Sequence, residues 1–262
     1  MSLSSPRHDT TPALVDAYRR HGYAVLDFRA GDSEVAEVQS YIAGRVKEGH
    51  EGNIYDNHGR LRALHGYSRE SGMLAALMSR LAGIAKALLE CEAVYVYQFR
   101  VNVKNGVPDA HDTTGSWKPH RDFDYWRNMD GMREPRAVIF HMLVNEHHDD
   151  NGPLEVCPGT HLSEPGDGEL RIMPESDWKA GFSEDIKYQI DPGAFAHRGS
   201  VALHGEAGTL AAMHPKLWHG SSPNRTTEPR ILLSVIFNDL ENAVTRTDRP
   251  GFVVQEPASG VW

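Results

Sequence analysis

At Ala93 the hydrophobic pattern changes period, and that change limits the folds open to this chain. The run Ala93-Val-Tyr-Val-Tyr-Gln-Phe-Arg-Val-Asn-Val103 is rich in β-branched and aromatic residues, the composition of a long strand. Further strand candidates follow at 136–145, 153–157, 208–213 and 230–238, separated by turns such as Asp150-Asn-Gly-Pro153 and Cys157-Pro-Gly159. Before Ala93 the apolar residues recur at helical spacing instead. Leu14–His21 follows a Thr-Thr-Pro start signal, and Tyr23–Phe28 reads as a short strand. A second helix opens at Ser33, with Val35, Val38, Tyr41 and Ile42 on one face and Glu34 and Glu37 near its positive end. Met73–Leu89 is a third. Helices first and strands second predict a mainly β domain, a β-sandwich or jelly roll supported by N-terminal α-helices. One domain is expected over 1–262, with helical support from about 12 to 90 and a β core from about 91 to 240. The polar stretch 163–200, with Gly166, Gly168, Gly181 and Gly193, reads as an insertion or lid between strands.

Composition narrows the class of partner. With 27 Lys and Arg against 36 Asp and Glu, the formal net charge is −9, which disfavours nucleic acid and anionic membrane surfaces. A small-molecule substrate is expected. Cys91 and Cys157 are the only cysteines, too few for a disulfide framework and without the spacing of a cysteine metal site. The N-terminal segment lacks the apolar core of a signal peptide, and no run approaches the ~18 apolar residues of a membrane span. These features predict a cytoplasmic protein; a monomer or homodimer is expected.

The chemistry is carried by Trp117-Lys-Pro-His-Arg-Asp-Phe123, where His120 and Asp122 stand two residues apart. On a strand, residues i and i+2 share a face, so an imidazole and a carboxylate can converge on one ion. A second histidine would complete a two-histidine, one-carboxylate triad. That triad leaves positions open for non-haem iron(II) to take a bidentate 2-oxo acid and O2. His219, in Leu217-Trp-His-Gly-Ser-Ser-Pro-Asn224, is the candidate. His148-Asp149-Asp150 has the same H-x-D form, but it sits in a polar run beside a Gly-Pro turn and reads as solvated loop. Arg230 opens the strand-like Ile231–Phe237, and its planar, permanently charged fork suits the far carboxylate of the cosubstrate.

The ordered motifs Tyr97-Gln-Phe-Arg-Val-Asn102, His120-Arg-Asp-Phe-Asp-Tyr-Trp126, Asp130-Gly-Met132, Asn151-Gly-Pro-Leu154, Pro158-Gly-Thr-His161, His219-Gly-Ser-Ser-Pro-Asn224 and Arg230 extend the pattern. Over Tyr95–Asp239 the chain resembles the phytanoyl-CoA dioxygenase superfamily, within it the bacterial ectoine hydroxylases and the free-amino-acid, leucine-type hydroxylases. The resemblance implies a double-stranded β-helix (jelly-roll, cupin-like) fold. It implies Fe(II) held by His120, Asp122 and His219, with 2-oxoglutarate and O2 as cosubstrates. Arg230, Gln98 and Asn102 would bind 2-oxoglutarate, while Arg100 and Trp126 would contact the substrate. Because halogenases of this kind replace the acidic ligand, Asp122 implies hydroxylation. Ectoine enzymes carry an aromatic residue four positions after the anchoring arginine, where this chain has Ser234. Together with the likeness around Glu90-Cys-Glu-Ala93 to the leucine type, this favours a free amino acid or another small zwitterion. The alternatives are ectoine hydroxylation itself, a desaturase or cyclase of the same superfamily, a zinc hydrolase, and a catalytically silent jelly-roll binding protein. The zinc reading has no H-E-x-x-H motif to support it.

Overall fold

The computed structural model describes residues 10–56, 58–67, 72–107, 109, 115–174, 186–244, 247, 249–257 and 260–262. Its helical layer comes first. Helix α1 (Pro12–His21) starts where Thr11 accepts a hydrogen bond from the Leu14 amide at 3.1 Å, and it ends at Gly22 in the left-handed region. Any side chain at Gly22 would also collide, because a Cβ there would stand 2.5 Å from His161 Nδ1. Helix α2 (Asp32–Glu48) is capped by Glu34, whose carboxylate accepts from the Gly31 amide at 2.7 Å. Helix α3 (Ala75–Leu89) buries Leu77, Met78, Leu81, Ile84, Ala85 and Leu88, an apolar face at three- and four-residue spacing.

Behind these helices lies a seven-stranded antiparallel sheet in the order β1-β11-β6-β13-β4-β3-β2. Its strands are β1 (Tyr23–Val25), β2 (Asn53–Tyr55), β3 (Leu61–His65), β4 (Val94–Lys104), β6 (Ala137–Leu143), β11 (Leu210–Met213) and β13 (Arg230–Asp239). A second sheet runs β10-β7-β12-β5, from β5 (Trp117–His120), β7 (Glu155–Val156), β10 (Val201–Ala202) and β12 (His219–Ser221). Strand alternation sends the two faces of the large sheet into different cores. Val138, Phe140 and Met142 of β6, with Leu233, Val235 and Phe237 of β13, pack against α3 and its neighbours. The opposite faces, Ala137, Ile139 and Leu143 with Leu232 and Ile236, join Leu154 and Val156 from the side of the smaller sheet. This arrangement is the mainly β, double-sheeted jelly roll with helical support that the sequence predicts.

Strand β4 carries a local irregularity. Ile236 pairs with Gln98 but Phe237 pairs with Val96, so Tyr97 is the extra residue of a β-bulge. Val94 and Val96 face the helices before the bulge, and Phe99, Val101 and Val103 do so after it. The parity of the strand therefore flips at Tyr97, and Gln98, Arg100 and Asn102 all turn toward the space between the sheets.

Several elements differ from the sequence expectations. The hairpin β2–β3 extends the large sheet where no strand was expected, and Asp122–Met129 is a helix, α4. The stretch 163–200 holds strands β8 (Leu170–Ile172) and β9 (Tyr188–Ile190), which pair antiparallel, and helix α5 (Pro192–Arg198). Residues 175–185 of the expected insertion lie outside the described residues. Near the C-terminus, buried Asp130 accepts hydrogen bonds from Tyr97, Thr247 and Arg249, while the Gln255 amide donates to the Tyr97 carbonyl at 2.9 Å. These contacts tie the chain end to the bulge. No helix among the described residues is long and apolar enough to cross a membrane.

Candidate metal and cosubstrate site

His120 and Asp122 do not share a strand, contrary to the expectation drawn from alternation. His120 ends β5 and Asp122 opens α4, so the bend between strand and helix brings the two side chains together. Arg121, between them, points the other way and is locked by Asp124, with Nη2 and Nε bonds of 2.6 and 2.9 Å, and by Glu164 at 2.8 Å. His219 begins β12 and stands directly opposite His120 in the antiparallel register. One ligand atom from each of His120, Asp122 and His219 lies within 4.8 Å of the others, and all three residues are buried. His219 Nε2 is 3.7 Å from Asp122 Oδ2, and the two imidazole centroids are 4.1 Å apart. Residues 148–150, by contrast, lie at the surface, where His148 Nδ1 is 3.9 Å from Asp150 and Asp149 reaches His204.

Protonation favours a cation here. Each imidazole places Nδ1 against a carbonyl, His120 on Lys118 at 2.7 Å and His219 on Leu217 at 2.9 Å. A neutral ring whose Nδ1–H is engaged presents the Nε2 lone pair, as metal-binding histidines do. Burial and the neighbouring His219 push His120 down to about 3, and burial also lowers His219. Burial alone would raise the Asp122 pKa, but Arg100 and the surrounding histidines outweigh it and hold the carboxyl well below its usual range. Two neutral nitrogens and one carboxylate are the donor set that suits iron(II) and leaves coordination positions open.

Beside the triad is a cavity, partly open to solvent and lined by Arg100, Asn102, Trp117, His120, His141, Leu154, His219, Gly220, Ser221, Arg230, Leu232 and Ser234. The guanidinium of Arg230 is buried at its far end, donates to the Gly152 carbonyl at 3.0 Å, and leaves Nε without a partner. Burial lowers its pKa to about 10, which still leaves it charged at neutral pH. Arg100 lies nearer the triad, 3.3 Å from Asp122, with its own Nε unpartnered. Gln98 is fully buried on the same strand face, outside the cavity lining, and both its amide atoms lack partners. The unpartnered Nε atoms of Arg100 and Arg230 belong to residues that border the hollow itself, as a missing polar ligand would leave them. A buried guanidinium beside a metal-type donor set has the chemistry that suits a dicarboxylate.

Of the residues expected at the site, His120, His219, Arg100, Asn102 and Arg230 all border this cavity, and Asp122 joins the two histidines behind it. Trp126 lies in the core between the sheets, edge-on to Tyr97 at 5.2 Å, and is absent from the lining. On the same helix, the half-buried Tyr125 is nearer the metal side. Its ring is 6.4 Å from His120 and 5.2 Å from Tyr188 of β9, so the insertion borders the site. The sequence reading missed His141 and Trp117. The signal for His141 was available: it is the only polar residue in Ala137-Val-Ile-Phe-His-Met-Leu143.

Comparison with known proteins agrees with this geometry. Residues 9–232 match the phytanoyl-CoA dioxygenase (PhyH) family. The chain is 33% identical to an L-proline trans-4-hydroxylase of Streptomyces griseoviridis, over 100% of this chain and 97% of that protein. It is 31% identical to an ectoine dioxygenase of Sphingopyxis alaskensis, over 92% of this chain and 78% of the relative. Among solved structures, EctD from S. alaskensis with 2-oxoglutarate and 5-hydroxyectoine superposes with a TM-score of 0.75 at 26% identity, covering 98% of this chain and 89% of that one. EctD with bound Fe gives 0.74 at 25% identity, covering 97% and 86%. A buried His-Asp-His triad beside a basic cavity, on a jelly roll that matches this family over most of its length, places the chain in the phytanoyl-CoA dioxygenase family.

Proposed function

We propose that this iron(II)- and 2-oxoglutarate-dependent dioxygenase hydroxylates an unactivated C–H bond of a free amino acid or close derivative, with Arg100 receiving the substrate carboxylate. The observation that carries this reading is the position of Arg100 on the inner face of β4, 3.3 Å from Asp122 and lining the cavity. With the Asp122 charge engaged by a metal, the Arg100 fork is a cation beside the reacting centre with bonding capacity to spare. Relatives named for L-proline and for ectoine support a small amino-acid-like substrate.

In this assignment His120, Asp122 and His219 would hold the iron, and Arg230 would pair with the far carboxylate of 2-oxoglutarate, with Gln98 and Asn102 orienting it. Bound iron would supply O2 activation, coupled to conversion of 2-oxoglutarate to succinate and CO2 and to hydroxylation of the substrate carbon. The protein positions the reactants and excludes water. The carbonyls of Lys118 and Leu217 keep each ligand histidine in one tautomer, and Trp117, Leu154 and Leu232 supply an apolar wall.

The test is succinate formation by anaerobically prepared apoprotein given Fe(II), 2-oxoglutarate, ascorbate and air, against the common amino acids, L-proline among them, plus ectoine. Substrate-stimulated succinate with a product one oxygen atom heavier supports the proposal. A product lacking two hydrogens would move the chain to desaturation or cyclisation. Absence of both iron binding and succinate would leave a silent binding protein.

A further inference from the structure

We propose that His141 donates a hydrogen bond from Nε2 to the metal-proximal carboxylate of the bound 2-oxo acid, with Ser234 fixing the ring and its tautomer. The inference rests on the 2-oxoglutarate reading of the cavity. His141 sits in the middle of β6, between Phe140 and Met142, which face the helical layer. Alternation therefore turns the imidazole toward the metal side, where it lines the cavity at 3% exposure. Its Nδ1 is 3.0 Å from Ser234 Oγ, on the residue directly opposite in register. Its Nε2 is buried and has no partner. A buried polar atom left unpaired is costly, and the ring borders the hollow where a ligand would sit.

The tautomer follows from the neighbours. Burial and nearby His219 depress the ring's pKa to about 3, so the imidazole is neutral and carries a single N–H. Ser234 is fully buried with its Oγ 3.0 Å from His141 Nδ1, and in the proposed tautomer its hydroxyl donates to that nitrogen. In that tautomer the ring hydrogen resides on Nε2, the buried nitrogen left without a partner.

Register decides which end of the cosubstrate it meets. His141, Ser234 and Arg100 lie side by side across β6, β13 and β4, and Arg100 reaches Asp122. Arg230 lies four residues away along β13, roughly 13 Å by strand rise. A 2-oxo acid stretched from Arg230 to the triad brings its metal-binding carboxylate, not its distal one, level with His141.

The experiment is calorimetric titration of Mn(II)-loaded protein with 2-oxoglutarate and with oxalate, which chelates a metal but has no distal carboxylate. His141→Asn keeps a polar group near Nδ1 and removes the one at Nε2, whereas His141→Gln does the reverse. Asn is expected to weaken both ligands roughly tenfold or more, the effect of one charge-assisted hydrogen bond. Gln should cost less, and Arg230→Met should weaken 2-oxoglutarate while sparing oxalate. Ser234→Ala leaves the histidine in place and should weaken both ligands several-fold; melting of each unliganded variant checks that it folds. Parental affinity in Asn with loss in Gln would reduce His141 to a structural contact with Ser234 and overturn the inference. Oxalate binding indifferent to both would do the same. A parent protein that binds neither ligand would instead remove the cosubstrate reading itself.

Discussion

Replacing Arg230 with Met removes the cation assigned to the far end of 2-oxoglutarate while keeping a side chain of similar reach. Burial depresses the Arg230 pKa to about 10, and at ~1.4 kcal/mol per pH unit that depression corresponds to about 3 kcal/mol spent holding the charge in the empty protein. A carboxylate arriving at the guanidinium recovers that cost, and removing one partner of such a buried pair costs ~3–5 kcal/mol. Both routes give a factor of about a hundred or more in 2-oxoglutarate affinity. The assay is succinate formation against 2-oxoglutarate concentration: the KM should rise about a hundredfold, with kcat at saturation changed far less. Thermal melting supplies an independent sign. The variant without ligand should melt no lower than the parent, since a strained charge has gone, but 2-oxoglutarate should no longer raise its Tm. An unchanged KM, or a loss confined to kcat, would refute the assignment of Arg230 to the cosubstrate.

Three further outcomes follow from the same geometry. His120→Ala should abolish iron binding and turnover, whereas His148→Ala, on the surface, should leave both intact; equal effects in metal titrations would mean that the wrong H-x-D was chosen. Burial pushes His65 to about 4 and His141, His147 and His214 to about 3, so below the unfolded value of ~6.5 the unfolded chain binds more protons. Their contribution is complete above pH 6.5 and is lost as the pH falls toward 3, at about 1 kcal/mol each by pH 5.5. Melting curves between pH 7 and pH 5 check this, and a flat Tm would contradict it. Asp130→Asn leaves the Arg249 guanidinium beside a neutral amide and should destabilise the fold by ~3 kcal/mol in urea unfolding, with faster proteolysis at the C-terminal segment. A loss under about 1 kcal/mol would show that this contact behaves as a surface pair.

Local pattern made much of this protein legible. The helices before Ala93 and the long strand after it follow from apolar spacing, which depends only on residues a few positions apart. Arg100 and Asn102 share a face because side chains alternate along any strand, and His120, Asp122 and His219 stood out because their chemistry is specific. Other features depended on partners far along the chain. The bulge at Tyr97 exists only as a mismatch in pairing with β13, and it decides that Gln98 turns inward with Arg100. The convergence of His120 and Asp122 arises where β5 gives way to α4, a junction that strand periodicity does not describe. His141 looked like one histidine among fifteen until β6 was laid beside β13, opposite Ser234 and facing the cavity. Sequence alone thus determined the main helices and strands, the chemistry-bearing histidines, aspartate and arginines, and the family, because each is written in short-range order. Tertiary structure decided which polar groups are buried without partners and which hollow they share, because burial and pairing are properties of strands brought together from distant parts of the chain.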